Sequence, residues 1–169
     1  EKVIMTFEEK FWPGRGLVYV ADAKPGMYVT FFDWTFVTGT PSLVAFNGGR
    51  IANSTLATFT DEQIVSICVD EISAILGFAA PRPVKSFVTR WKEDPYTKGA
   101  YSYFAVGSSP LDMDILAKPV GRSLHFAGEA TESSYFGQTH GGLISGIRAA
   151  KAINKRASLN NIRKNGPRQ

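Results

Sequence analysis

The sequence predicts a mixed α/β fold. Three observations carry that prediction. Short segments rich in aromatic and β-branched residues crowd the first 50 positions, each closed by Pro or Gly. One long amphipathic pattern with a start and a stop signal occupies residues 61–76. Small residues recur at every fourth position near the C-terminus. The strand segments predict an antiparallel or mixed sheet, and the two periodic segments predict helices. At 169 residues the chain has room for one compact domain or for pieces of two.

Val3-Ile4-Met5-Thr6-Phe7 reads as the first strand, and Phe11-Trp12-Pro13-Gly14 breaks it. Leu17–Val20, Met27–Phe32 and Ser42–Phe46 are three more strand segments, separated by Lys24-Pro25-Gly26 and Gly39-Thr40-Pro41. Asn47-Gly48-Gly49 closes the run with turn chemistry. Thr60 stands at an N-cap, and Gln63, three residues on, completes a capping box. Ile64, Cys68, Ile72 and Ile75 then share one helical face, with Val65, Val69 and Leu76 beside it, and Gly77 sits where a left-handed cap belongs. On that face Cys68 reads as a small buried hydrophobe rather than a nucleophile.

After Pro81 and Pro83, Val84–Trp91 reads as another strand. Residues 92–118 read as a long irregular loop with turn residues Asp94-Pro95, Lys98-Gly99 and Ser108-Ser109-Pro110; loops of that length inside a compact protein are usually functional. Leu124-His125-Phe126-Ala127 reads as a short buried strand ending at Gly128-Glu129. A second helix is expected from near Thr139 to Lys155, where the Gly142, Gly146, Ala150 stripe lets another backbone approach closely.

Composition narrows the function classes. The net charge of +4 belongs to the tail: residues 151–169 carry six basic residues and no acidic one, so residues 1–150 are near neutral. Such a tail reads as a solvated terminus, and nucleic-acid or membrane-surface binding is not expected of it. The single cysteine, Cys68, excludes an internal disulfide framework and fits a reducing compartment, which leans the expected location toward the cytoplasm. No apolar run approaches the roughly 18 residues of a membrane span. Two histidines and one cysteine make no metal cluster, and there is neither a Gly-x-Ser-x-Gly elbow nor a phosphate-binding loop. The chain opens at Glu1, directly in an apolar-alternating segment, so a portion upstream is expected.

Order and spacing say more than any single residue. Lys2-Val3-Ile4-Met5-Thr6-Phe7 with Phe11-Trp12-Pro13, Arg90–Tyr103 (RWKEDPYTKGAYSY), and Phe126-Ala127-Gly128-Glu129-Ala130-Thr131 followed by Thr139-His140-Gly141-Gly142-Leu143-Ile144-Ser145-Gly146 occur in one order over residues 1–153. Together they resemble the C-terminal portion of the flavin-containing amine oxidases, of the polyamine oxidase and lysine-specific histone demethylase type. The resemblance implies a substrate-binding mixed sheet with flanking helices over residues 1–120. Residues 121–153 would be the C-terminal strand and helix of a Rossmann-like FAD domain, and 154–169 a loose basic tail.

The implied reaction is oxidation of a polyamine or related secondary amine by hydride transfer to FAD, with O2 reduced to hydrogen peroxide. Lys2, which by itself is an exposed charge at a strand start, matches the family lysine that reaches the flavin through a water. Tyr101 matches the tyrosine facing the substrate amine, and Trp91 and Tyr96 are the further candidates for aromatic walls beside substrate and flavin; core packing is the alternative for each. Gly128 and Glu129 match positions against the ribityl-diphosphate, where a backbone amide of Glu129 suits the cofactor better than its carboxylate. Gln138 and Thr139 match contacts at a helix N-terminus that points at the flavin ring. His140 reads as a helix-start residue rather than a base.

Two departures shape the expectation. Ala100 occupies the position where monoamine oxidases carry the cysteine that links FAD, so the flavin is expected to be non-covalent. Gln138 replaces the second cage tyrosine of those enzymes, which leaves the substrate class open. The family's Gly-x-Gly-x-x-Gly element for the ADP half of FAD is not in these residues. The chain is therefore expected to be an incomplete part of an enzyme, inactive alone and partnered by an N-terminal portion. The alternatives are an L-amino-acid oxidase, with Arg50 or Arg82 as carboxylate clamp, a histone-lysine demethylase, or a non-catalytic binding fragment.

Overall fold

The structure, a computed structural model, describes residues 1–14, 17–19, 30–49, 52 and 58–165. By compactness it divides into two units, Glu1–Ala100 and Tyr101–Gln169.

In the first unit β1 (Lys2–Thr6), β2 (Leu17–Tyr19), β3 (Thr30–Asp33), β4 (Ser42–Phe46) and β5 (Lys85–Val88) form one sheet in the order β2-β3-β4-β1-β5. Every pairing is antiparallel, so the sheet expected as mixed is antiparallel throughout. Residues 34–41 between β3 and β4 are too few for the long crossover that a parallel pair needs. A single helical turn, α1 (Thr35–Thr38), joins β3 to β4 and ends on Gly39 in the left-handed conformation. Val20 and residues 27–29, expected as strand, lie outside the described residues.

The register sorts side chains to two faces. Val3 lies opposite Ala45 and Val88, Ala45 opposite Phe31, and Met5 opposite Leu43. These residues form the buried face, covered by Ile64, Val65, Cys68 and Ile72 of α2 (Asp61–Leu76). The other face carries Lys2, Ile4, Phe32, Val44 and Phe87, of which Lys2, Phe32 and Phe87 are exposed. α2 begins and ends as its sequence demands. Thr60 Oγ1 accepts from Gln63 N–H at 3.3 Å, Gln63 Oε1 accepts from Thr60 N–H at 2.9 Å, and Gly77 caps the end at φ 74°. Cys68 is fully buried, and burial, aided by Glu71, pushes its thiol far up from its usual range.

The second unit contains α3 (Pro110–Leu116), a 3-10 turn at Glu129–Thr131 and α4 (Thr139–Asn165). Three expectations are corrected here. The loop expected over residues 92–118 contains α3, opened by Pro110 and held by Asp112, whose carboxylate accepts Ser109 N–H at 2.7 Å. Residues 124–127 form no strand: a single bridge pairs Val120 with Leu124, and Leu124 is exposed. A strand needs a neighbouring strand to satisfy its backbone; among the described residues that bridge is the one strand-type pairing here, and the Phe126 carbonyl accepts from the Arg148 side chain at 3.4 Å. The helix expected to stop near Lys155 runs on to Asn165, so most of the expected loose tail is helical. No helix among the described residues is long and apolar enough to cross a membrane.

Candidate active site

The site residues expected from the sequence fall into two groups, one in each unit. In the first, Lys2 opens β1 on the exposed face of the sheet. Its N–H donates to Thr89 Oγ1 at 2.7 Å and its carbonyl accepts Thr89 N–H at 2.9 Å, which zips β1 to the segment beyond β5. That segment leads to Trp91, whose N–H donates to the Glu1 carboxylate at 3.2 Å; the Thr89 hydroxyl donates to the same group at 2.8 Å. Lys2 and Trp91 thus share one corner of the sheet. Arg90 braces the corner from the other side through Asp61 Oδ1 at 2.6 Å and the Phe59 carbonyl at 2.9 Å.

Trp91 is half exposed, while Tyr96 is almost fully exposed on a turn organised by Asp94. Asp94 Oδ1 accepts Tyr96 N–H at 2.9 Å and Thr97 N–H at 2.8 Å. These backbone donors, Thr97 foremost, hold the Asp94 carboxyl below its ordinary range. Lys98, at φ 51°, completes the turn in the left-handed region.

In the second unit, the Glu129 carboxylate ties the backbone beside Tyr101 to the backbone beside Gln138. Glu129 Oε1 accepts both the Ser102 N–H and the Ser102 hydroxyl at 2.8 Å, and Oε2 accepts Gly137 N–H at 2.6 Å. Tyr101 adjoins Ser102, and Gln138 adjoins Gly137. Burial alone pushes the Glu129 carboxyl upward, but hydrogen bonds from Gly137 and Ser102 outweigh it and hold the group below the usual carboxylate range. The lowered value means the clasp adds stability above the unfolded carboxyl pKa and loses it as pH falls through the folded one.

Gly128, at φ 131°, turns the chain into the 3-10 turn in a region open to glycine. Its N–H donates at 2.9 Å to the hydroxyl of Ser145, fully buried on α4, and that hydroxyl donates to the Gly142 carbonyl at 2.8 Å. Arg148, one turn further, donates to the Thr131 carbonyl at 2.7 Å and to Thr131 Oγ1 at 2.9 Å, and pairs with Glu132 at 3.6 Å. Gln138 and Thr139 are exposed at the start of α4, and His140 meets the Tyr135 ring edge-on at 4.8 Å. Ser102, Ser145 and Arg148 were not singled out in the sequence. Ser145 and Arg148 could have been found, since they lie one and two turns beyond Gly141 on the same helical face. Ser102 carried no comparable signal.

The stripe at Gly142, Gly146 and Ala150 was expected to receive another backbone, and at Gly142 an added Cβ would lie 4.0 Å from Glu129 N. The tighter approach is at Gly141, where an added Cβ would overlap the Tyr135 carbonyl oxygen and lie 3.1 Å from its carbon. At Gly146 such a Cβ meets nothing within 4 Å. Arg82, one candidate carboxylate clamp, donates to Ser66 Oγ at 3.2 Å, and Arg50 lies outside the described residues. No His, Cys, Asp and Glu grouping among the described residues could hold a metal ion.

The chain belongs to the family described as flavin containing amine oxidoreductase, whose model matches residues 1–154. It is similar to "Histone demethylase-like protein A" of Aspergillus fumigatus, 36% identical over 167 residues, covering 90% of this chain and 15% of the relative. It is equally similar to "Lysine-specific histone demethylase 1 homolog 1" of Oryza sativa subsp. japonica, 36% identical over 158 residues, covering 90% of this chain and 19% of the relative. A putrescine oxidase from a redesign of cofactor binding shares the fold, with a TM-score of 0.75 at 23% identity over 90% of this chain and 34% of that one. The chain therefore spans 15% and 19% of the length of these two curated relatives.

The family's cofactor is FAD, and the second unit fits it at one end. Among the described residues, no acceptor is found for the N–H groups of Gln138, Thr139 and His140 at the start of α4. A helix start with free donors suits an electron-rich ring.

Proposed function

We propose that this chain is the part of an FAD-dependent amine oxidase that walls the substrate, and that the substrate is a polyamine or related secondary amine. Residues 1–120 are its substrate-binding portion, residues 121–153 complete the FAD domain, and 154–169 form a basic extension. The observation that carries the reading is the Glu129 clasp, which ties the residue after Tyr101 to the residue before Gln138 at the start of α4, in a chain the family matches over residues 1–154.

Bound FAD would supply the two-electron oxidation of the carbon next to nitrogen, with O2 as the final acceptor, giving hydrogen peroxide, and water hydrolysing the imine to aldehyde and amine. The residues of this chain bind and orient. The Tyr101 ring faces the amine, and an aromatic face disfavours the ammonium form, leaving the neutral amine that gives up hydride readily; Trp91 and Tyr96 are the first unit's own candidates for contact with substrate or flavin. Lys2, exposed on the open face of the sheet, holds a water and places positive charge where oxygen is reduced. Gly128, the Glu129 backbone amide, Gln138 and Thr139 hold the cofactor; the Glu129 carboxylate already serves three donors and is not free to do so. With Ala100 in place of a linking cysteine, the flavin is held non-covalently. The ADP half of FAD falls to an N-terminal portion outside these residues, on the same chain or another.

The second reading takes N-methylated lysine as the amine, favoured by the demethylase names of relatives at 36% identity. The same carbon–nitrogen chemistry serves both. Hydrogen peroxide release from spermine, compared with release from a lysine-methylated peptide, separates them. The proposal expects kcat/KM for spermine to be at least about tenfold higher. Preference for the peptide establishes the second reading, and release from neither removes both substrates.

A further inference from the structure

One carboxylate joins the two segments on which the proposed substrate wall depends. Glu129 Oε1 holds Ser102, the residue after Tyr101, by its N–H and its hydroxyl, and Oε2 holds the N–H of Gly137, the residue before Gln138. The segments also touch directly. A methyl group on Gly137 would lie 3.6 Å from Tyr101 Cδ2, and the Phe104 and Phe136 rings meet edge to face at 4.5 Å. A carboxylate suits this task because both of its oxygens accept. An amide or a protonated acid turns a donor toward one of the two segments, where an N–H already points.

We propose that Glu129 is a positioning residue that sets the gap between Tyr101 and Gln138, and through that gap the discrimination between primary and secondary amines. This rests on the reading of Tyr101 as substrate wall, with Gln138, which also contacts the cofactor, standing opposite it in place of a second cage tyrosine. A primary amine and an N-alkylated one differ by a group beside the reacting nitrogen, which is the space that gap would control. Loosening one segment widens or skews it without removing a residue that touches the substrate.

The test uses the flavin-loaded enzyme under anaerobic conditions. Rate constants for flavin reduction are measured with putrescine, whose nitrogens are primary, and with spermine, whose inner nitrogens are secondary. Glu129→Gln is expected to slow reduction on the order of 10- to 100-fold and to move the ratio of the two rate constants by roughly fivefold or more. A merely structural defect lowers the active fraction and scales both rates alike, leaving the ratio where it was. Ser102→Ala, which removes one of three donors and spares the carboxylate, is expected to move the ratio in the same direction by less. It decides alone if Glu129→Gln does not fold. A ratio that stays at the wild-type value in the folded variants overturns the proposal. A wild-type enzyme whose flavin is reduced by neither amine overturns the substrate-wall reading itself, and this proposal with it.

Discussion

At Gly141 a side chain has nowhere to go, because the Tyr135 carbonyl occupies the space a methyl group would fill. The obstructing atoms are backbone, so no rotamer change relieves the clash, and the first turn of α4 or the chain entering it must move. Gly141→Ala is expected to destabilise the protein by about 2–4 kcal/mol, read from the chemical denaturation midpoint. Gly146→Ala is the control: its methyl meets nothing, and Ala favours helix over Gly by up to about 1 kcal/mol. Equal effects from the two would contradict the packing described. Lys2 belongs to the same scale but to function. It sits exposed on the open sheet face, and no partner for its ammonium is found among the described residues. Lys2→Met should therefore leave stability nearly unchanged while slowing flavin reoxidation by O2 about tenfold or more. An unchanged reoxidation rate would remove Lys2 from the site.

Among the elements, α2 is the one whose local signals all agree. Thr60→Ala removes the cap on Gln63 N–H and should cost about 1 kcal/mol, seen in the denaturation midpoint; no loss would mean that packing on Ile64, Cys68 and Ile72 alone holds the helix start. That helix was legible because cap, apolar face and glycine stop are all local, and so were β1, β4 and β5, where aromatic and branched residues alternate between turn signals. Two elements were not. α3 is seven residues long and too short for a periodic pattern, although Ser109-Pro110 with Asp112 was an available start signal. Residues 124–127 have strand composition, but composition cannot supply the neighbouring strand that pairing requires. Of the candidate site, the sequence blocks named residues by resemblance alone, while the Glu129 clasp stayed hidden. Its partners stand 27 and 8 positions away, and nothing in the spacing distinguishes a carboxylate bound to the chain from one bound to a ligand.

Taken whole, the chain is an antiparallel sheet backed by one helix, and a second unit in which a glycine turn is stapled to a long helix. The buried face of the sheet is filled from α2, and the opposite face carries exposed Lys2, Phe32 and Phe87 beside buried Val44. In the second unit one carboxylate ties the segment after Tyr101 to the segment before Gln138, at the start of α4. In the family of flavin-containing amine oxidoreductases, that division of labour leaves the hard chemistry to the cofactor and the positioning to the protein. The most direct test is the visible absorption spectrum of the flavin-loaded enzyme before and after anaerobic addition of spermine. The account predicts an oxidised flavin spectrum that bleaches with spermine and returns when oxygen is admitted. A flavin that stays oxidised in the presence of spermine and of other amines would contradict it.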